Sequence, residues 1–335
     1  MRKRIHRFAL LLVALTLALP ICAQAVGEGD GWGAGAIHVP KNFKFSKLVN
    51  HGKGGVPPVA TGTKSRKARQ ASQLLKAPQH SVFYANALGD YMGLMSYDPA
   101  TPTDVTTYAP FDKSLFNAGS TIKDGKLCGL YLDQSMIEYG IIFLWYGWFD
   151  LETGEYDGEV TNVSNRSLIA YATATDPKTG EVFGEFTDQT MQSWEFGVVD
   201  YDTKTRTTIA ETDNLYLAMG ITSQGDCYGI TDDGDLYRID RTTGEETRIG
   251  STGVRVTDAS GMAYSQGAVV DPKTDVFYWA ATDANGDCTL YTVDLDDASV
   301  TRVCASPYQQ LALNVLPPLA EDKAPAAIHD FAVHF

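Results

Sequence analysis

Gly234-Asp235-Leu236-Tyr237-Arg238-Ile239-Asp240-Arg241-Thr242-Thr243-Gly244-Glu245-Glu246-Thr247-Arg248-Ile249 reads as a strand, a tight turn and a second strand. Leu236, Tyr237 and Ile239 lie in a short β-rich run, and Asp-Arg-Thr-Thr-Gly supplies the turn chemistry. The phrase recurs in degraded form. Aspartates open comparable turns at Asp98, Asp150, Asp200, Asp240 and Asp294, spaced 40 to 54 residues apart. Leu151-Glu152-Thr153-Gly154-Glu155, Tyr201-Asp202-Thr203-Lys204-Thr205 and Leu295-Asp296-Asp297-Ala298-Ser299 are its variants.

A second series of turns falls between these. It runs through Asp124-Gly125, Asp176 to Gly180, Ser223 to Asp226 and Asp271 to Asp275. Each is followed by an aromatic-containing strand: Leu127 to Tyr131, Val182-Phe183, Cys227-Tyr228 and Val276 to Trp279. Five copies of a four-strand unit at this period predict an all-β chain folded as a β-propeller of antiparallel blades. A lone four-stranded sheet cannot cover both its faces, whereas radial stacking buries each sheet against its neighbours. The aspartate ending each third strand is expected to cap its turn through its own side chain.

The first unit, Val82 to Tyr108, has three strands and lacks an inner one, while Gln310 to Leu316 is a spare strand ended by Pro317-Pro318. Pairing the two would close a ring of five blades over residues 81–318. Six blades is the alternative if residues before 80 contribute strands. Ile141 to Phe149, the most apolar run beyond the N-terminus, is too short for a membrane span and reads as a buried strand.

The ends differ in character. Arg2, Lys3, Arg4 and Arg7 precede an apolar run from Phe8 to Leu19, then Pro20 and Ala23-Gln24-Ala25. This is the pattern of a signal peptide over residues 1–25, cleaved after Ala25, and it predicts a secreted or cell-surface protein without membrane insertion. Residues 26–79 are rich in Gly, Pro and basic side chains, with little apolar periodicity, and are expected to be poorly ordered. The whole chain has 27 Lys+Arg against 41 Asp+Glu. The first 25 residues hold four of the basic ones and no acid, so the remainder balances 23 against 41, a net −18. So acidic a body repels nucleic acid and anionic lipid. Residues 319–335, through Asp322-Lys323-Ala324-Pro325 to Phe335, read as a linker and the first strand of a truncated fibronectin type III-like module.

The succession of signal peptide, DPKTG…VF…VDYDTKTRT…GDLYRIDRTTGEETRIG repeats and DKAPAAIHDF resembles a family of large secreted proteins of Bacteroides- and Prevotella-type bacteria. The resemblance covers residues 168–335 well and 81–167 loosely. It implies surface display and a binding role, and it carries over no catalytic residue.

Candidate chemistry is sparse. Asp240 to Gly244 is similar to part of the pyrroloquinoline quinone propeller repeat, but that repeat places a Trp where this chain has Val160, Ile209, Ile249 and Val303. No cofactor is expected. Asp232 to Asp235 and Asp283 to Asp287 offer hard oxygen ligands for a structural calcium, without EF-hand spacing; both also fit plain hairpin turns. Glu181, Glu185 and Glu195 lie within one unit and are the carboxylates of a possible glycoside hydrolase. No histidine occurs between Ser81 and Pro318, which removes the commonest general base from that region. Trp145, Tyr146, Trp148, Trp194 and Trp279 are candidate ligand contacts at the mouth of the ring, or blade-packing residues. Four cysteines follow the signal, and Cys288–Cys304 is the candidate disulfide, against the alternative of buried free thiols. The reading is a monomeric β-propeller that binds a glycan or protein ligand. The alternatives are a carbohydrate-active hydrolase and a passive spacer.

Overall fold

The structure, a computed structural model, describes residues 36–38, 81–111, 115–133, 141–161, 167–187, 193–256, 266–283 and 285–316. They form five four-stranded antiparallel blades. Blade 2 comprises β5 (Leu115–Lys123), β6 (Lys126–Asp133), β7 (Ile141–Asp150) and β8 (Tyr156–Val160). Blade 3 comprises β9 (Ala170–Thr175), β10 (Val182–Thr187), β11 (Trp194–Asp200) and β12 (Thr205–Thr212). Blade 4 is β13 (Tyr216–Ile221), β14 (Cys227–Thr231), β15 (Asp235–Ile239) and β16 (Glu246–Ser251). Blade 5 is β17 (Gly267–Val270), β18 (Phe277–Thr282), β19 (Cys288–Val293) and β20 (Val300–Ala305).

Blade 1 takes three strands from the N-terminal side, β2 (Phe83–Leu88), β3 (Gly93–Tyr97) and β4 (Thr106–Pro110), and its first from the far end, β21 (Gln309–Val315). β21 pairs with β2 from Phe83↔Val315 to Leu88↔Gln309. The first strands then touch in a closed circle, β5 to β9 to β13 to β17 to β21 and back to β5. The expected ring closure is present. β1 (Ala36–His38) pairs residues 141–143 of β7, above the stretch that β8 pairs. It lengthens an existing blade and builds no sixth.

Burial follows radial position. β3 and β13 are buried at every residue, as strands flanked by sheets on both faces must be. The outer strand β4, Thr-Thr-Tyr-Ala-Pro, is exposed at four of five positions, and outer strands are accordingly rich in Thr, Arg and Glu. Between blades the contacts are aromatic and aliphatic. Phe183 stacks on Phe196 at 5.8 Å and faces Tyr216, Met219 and Ile239 of the next blade.

The recurring phrase is the turn from a third to a fourth strand. In blade 2, Asp150 Oδ1 accepts from the Glu152 and Thr153 amides, both at 2.8 Å, and Gly154 N donates to the Asp150 carbonyl. Asp98, Asp200, Asp240 and Asp294 repeat the side-chain cap. In four of the five turns the fifth residue is left-handed: Gly154, Lys204, Gly244 and Ala298 have φ between 55° and 75°. Glycine at 154 and 244 has a second cause, because a Cβ there would meet Tyr108 and Ala210 of the preceding blade at 2.1 and 2.4 Å. Asp176–Gly180 and Asp271–Asp275 close in the same way, so blades 3 and 5 use this turn at two places, whereas Asp124-Gly125 is a two-residue turn between Lys123 and Lys126.

Asp150→Ala should cost about 1 kcal/mol in urea unfolding, the worth of one capping set. The Thr153 and Glu152 amides hold this carboxyl below the usual range. Its contribution is therefore present above the unfolded value, near 4, and is lost as pH falls. The difference between parent and variant should shrink on acidification.

Candidate functional site

The first strands converge on a central cavity of only about 30 Å³, lined by Ile122, Ala174, Met219, Val269, Leu313 and Val315 among others. That is room for about one water. No carboxylate lines it, so the acid pair flanked by aromatics that a central hydrolase site would need is not in this cavity.

The structure also separates the three candidate glutamates. Glu181 and Glu185 lie four positions apart, about 13 Å along an extended chain. Glu195 pairs with Phe186, and Glu185 with Phe196, so Glu185 and Glu195 project from opposite faces of blade 3. Glu195 is bound to Arg206 and to Thr208 Oγ1. Glu185 is fully buried, and a group with no surface cannot reach a substrate.

The candidate aromatics do not meet at a mouth. Trp279 is fully buried and donates to Gln266 Oε1 at 3.2 Å. Trp194 packs edge-to-face on Tyr171 at 5.3 Å, and Trp145 joins the cluster of Tyr131 and Phe149. Tyr146 and Trp148 are half-buried neighbours on β7, 6.2 Å apart, facing blade 3. Lys126 lies 4.7 Å over Trp148 and Lys204 5.6 Å over Tyr146, so cations of the chain already occupy these ring faces. Trp145, Trp194 and Trp279 each pack against aromatic or core neighbours.

Among the described residues an open concavity lies elsewhere, between blades 3 and 4 on the face of the tight turns. It measures about 660 Å³. Phe183, Val198, Ile209 and Ile239 supply apolar floor, while Glu181, Asp226, Arg238, Arg241, Thr242 and Glu245 supply polar rim. Arg238 pairs with Asp226 on the exposed side. Arg241 reaches into blade 3, pairs with Asp176 and lies 5.2 Å over Phe183. Asp176 is 1% exposed and also accepts from the Lys178 amide at 2.7 Å. Burial pushes its carboxyl up, but the Lys178 amide and the guanidinium outweigh burial and hold it below the ordinary range. Spacing could not reveal this pair, because its members sit 65 residues apart in different blades.

Behind the floor of the cleft, Glu185 Oε1 accepts from Thr212 Oγ1 at 2.8 Å, and its Oε2 has no hydrogen-bond partner. Burial, reinforced by Glu246 and Glu195, pushes this carboxyl well above the usual range.

Among the described residues the cysteines are four free thiols, Cys128, Cys227, Cys288 and Cys304. The Cys288–Cys304 bridge is not formed, and register explains it. Cys304 pairs with Leu290, one diagonal step from Cys288, and diagonal Cα atoms stand about 7–8 Å apart, beyond bridging reach. Burial pushes the Cys227 and Cys288 thiols up to about 12. In the calcium candidates, Asp283 Oδ1 caps its own turn by accepting from the Asn285 and Asp287 amides, and Asp235 pairs with Arg248. Among the described residues no three His, Cys, Asp or Glu side chains converge as a metal site.

No family model matches the chain, and no curated protein matches it. Among solved structures it is similar to the nidogen/laminin complex, with TM-score 0.45 and 9% identity over 70% of this chain and 97% of that one. It is similar to TolB from Acinetobacter baumannii, with TM-score 0.41 and 12% identity over 73% of this chain. A third is an auxiliary nutrient binding protein from Bacteroides ovatus, with TM-score 0.36 and 13% identity over 68% of this chain. The chain spans 58% and 50% of the length of the latter two. Such identities speak to fold alone, and none of the three supports the particular surface-protein family or C-terminal modules. The chain is a five-bladed β-propeller with distant structural neighbours.

Proposed function

We propose that this chain is a secreted or cell-surface binding module and that its ligand, a glycan or a protein segment rich in hydroxyl and amide groups, sits in the cleft between blades 3 and 4. The observation that carries the reading is the contrast of cavities: about 30 Å³ on the axis against about 660 Å³ at this seam. Ligand sites of 300–1,000 Å³ are the ordinary range. An apolar floor under a rim of carboxylates, guanidinium groups and threonine hydroxyls suits a ligand with C–H faces and many hydroxyls. The targeting pattern of residues 1–25 supports an extracytoplasmic setting.

The test is binding of the full chain to a glycan array and to extracellular matrix proteins, followed by calorimetry on the strongest hit. Arg238→Ala is the informative variant. Arg238 is well exposed and its ion pair with Asp226 is a surface one, worth about 0–1 kcal/mol of stability. The variant should fold normally and bind at least about tenfold more weakly, as loss of one charged hydrogen bond implies. No binding to either panel, or full affinity in the variant, rules out this cleft.

A further inference from the structure

We propose that Glu185 makes the seam between blades 3 and 4 a proton-held latch, closed while its carboxyl is protonated and loosened when the carboxyl ionises. The inference rests on geometry. Glu185 lies on the face of β10 that carries Phe183 and packs on blade 4. It is fully buried, Thr212 Oγ1 is the donor to its Oε1, and Oε2 has no partner. A buried carboxylate with one hydrogen bond and no cation is strongly disfavoured, whereas the neutral acid is tolerated.

The groups around it reinforce the neutral form. Glu246 of β16 and Glu195 of β11 act on it as like charges. From β13, Tyr216 is tied by its hydroxyl to Glu246, whose other oxygen accepts from the Asp213 amide. From β14 comes the buried Cys227 thiol, whose own ionisation burial and Glu185 both disfavour. The nearby cations are engaged elsewhere, Arg206 by Glu195 and Arg241 by Asp176.

Ionisation has a direct structural consequence. A charge formed at Glu185 must be hydrated, and water reaches it by parting β10 from blade 4. Phe183 and Cys227 line both that contact and the cleft, so loosening the seam reshapes the cleft. The effect on ligand rests on the reading under Proposed function. The latch itself does not.

The sign follows from linkage. The folded value is raised, so the stabilisation is whole below the unfolded value, about 4.3, and is lost as pH rises to the folded value. One proton couples, so the unfolding constant rises up to tenfold per pH unit across that window and then levels.

The experiment is ligand-free urea unfolding of the full chain from pH 5 to 9, parent against Glu185→Gln. The ratio of the two unfolding constants, parent over variant, should rise with pH and then plateau. Parallel profiles overturn the proposal. Two readouts on the parent serve if the variant fails to fold. Infrared spectra at neutral pH should show a protonated carboxyl band, and its absence overturns the proposal. Hydrogen exchange in β10 and β14, corrected for intrinsic rates and referenced to β18, should quicken with pH; a constant ratio overturns it. Every arm omits ligand, so failure here leaves the cleft reading standing, and failure of the glycan and protein panels leaves the latch standing.

Discussion

A chain ending after Tyr308 should show no cooperative unfolding transition, while one ending after Leu316 unfolds like the parent. The difference is β21, which buries Leu311 and Leu313 at 3% exposure and sets Tyr97 Oη on Gln310 Oε1 at 2.8 Å. Two buried leucines contribute about 3–6 kcal/mol. Removing β21 also bares the edge of β2 and parts the contacts of β21 with β17 and β5, including Asn314 Nδ2 to Ser120 Oγ at 2.8 Å. The combined loss is comparable with the whole stability of a domain, about 5–15 kcal/mol. Limited proteolysis and urea titration followed by far-ultraviolet circular dichroism report it. A cooperative transition in the shorter chain, at a midpoint near the parent's, would show that ring closure contributes little. Leu313→Ala, a milder probe of the same contact, should lower stability by about 2–5 kcal/mol.

This closure was legible in the sequence because it follows from counting. A first unit short of one strand and a spare strand at the far end complete each other, whatever the side chains. The turns were legible for a similar reason. Asp150 and Asp240 act within five residues of themselves, so their chemistry is local and shows in spacing. The cleft was not legible, since Phe183 and Arg238 meet only when blades 3 and 4 stack. The aromatics misled in the same way. A half-buried Trp148 and a fully buried Trp279 look alike as letters, and only the packed ring separates them. Glu185 stood out in sequence merely as one of many acids. Its burial between two sheets is a tertiary property with no local signature.

Arg241→Leu should cost about 1.5–3 kcal/mol, the worth of a charge-assisted hydrogen bond in a pair that is buried only on the Asp176 side. The residue after each capping aspartate shows why. Leu151 and Tyr201 are buried there, and Leu295 packs on the core, so in these blades the position plugs the preceding blade with an apolar or aromatic side chain. Blade 4 carries Arg241 instead, and Asp176 meets it in the preceding blade. Leucine would fill the space as its counterparts do, yet leave the Asp176 carboxylate 1% exposed with only its turn amides as donors. The loss therefore belongs to the abandoned charge and not to a cavity. Two measurements separate these causes. Asp176→Asn keeps an oxygen for the turn amides and removes the charge, so the double variant should recover most of the stability that Arg241→Leu loses. Acidification should act in the same direction. Asp176 is held below its ordinary range in the parent, so its contribution is present above the unfolded value, near 3.9, and fades as pH falls. The penalty of Arg241→Leu should shrink toward pH 3, where the stranded carboxyl takes up a proton. If the double variant is no more stable than Arg241→Leu alone, and the penalty is flat with pH, the guanidinium acts through its packing on Phe183 and the ion pair is incidental.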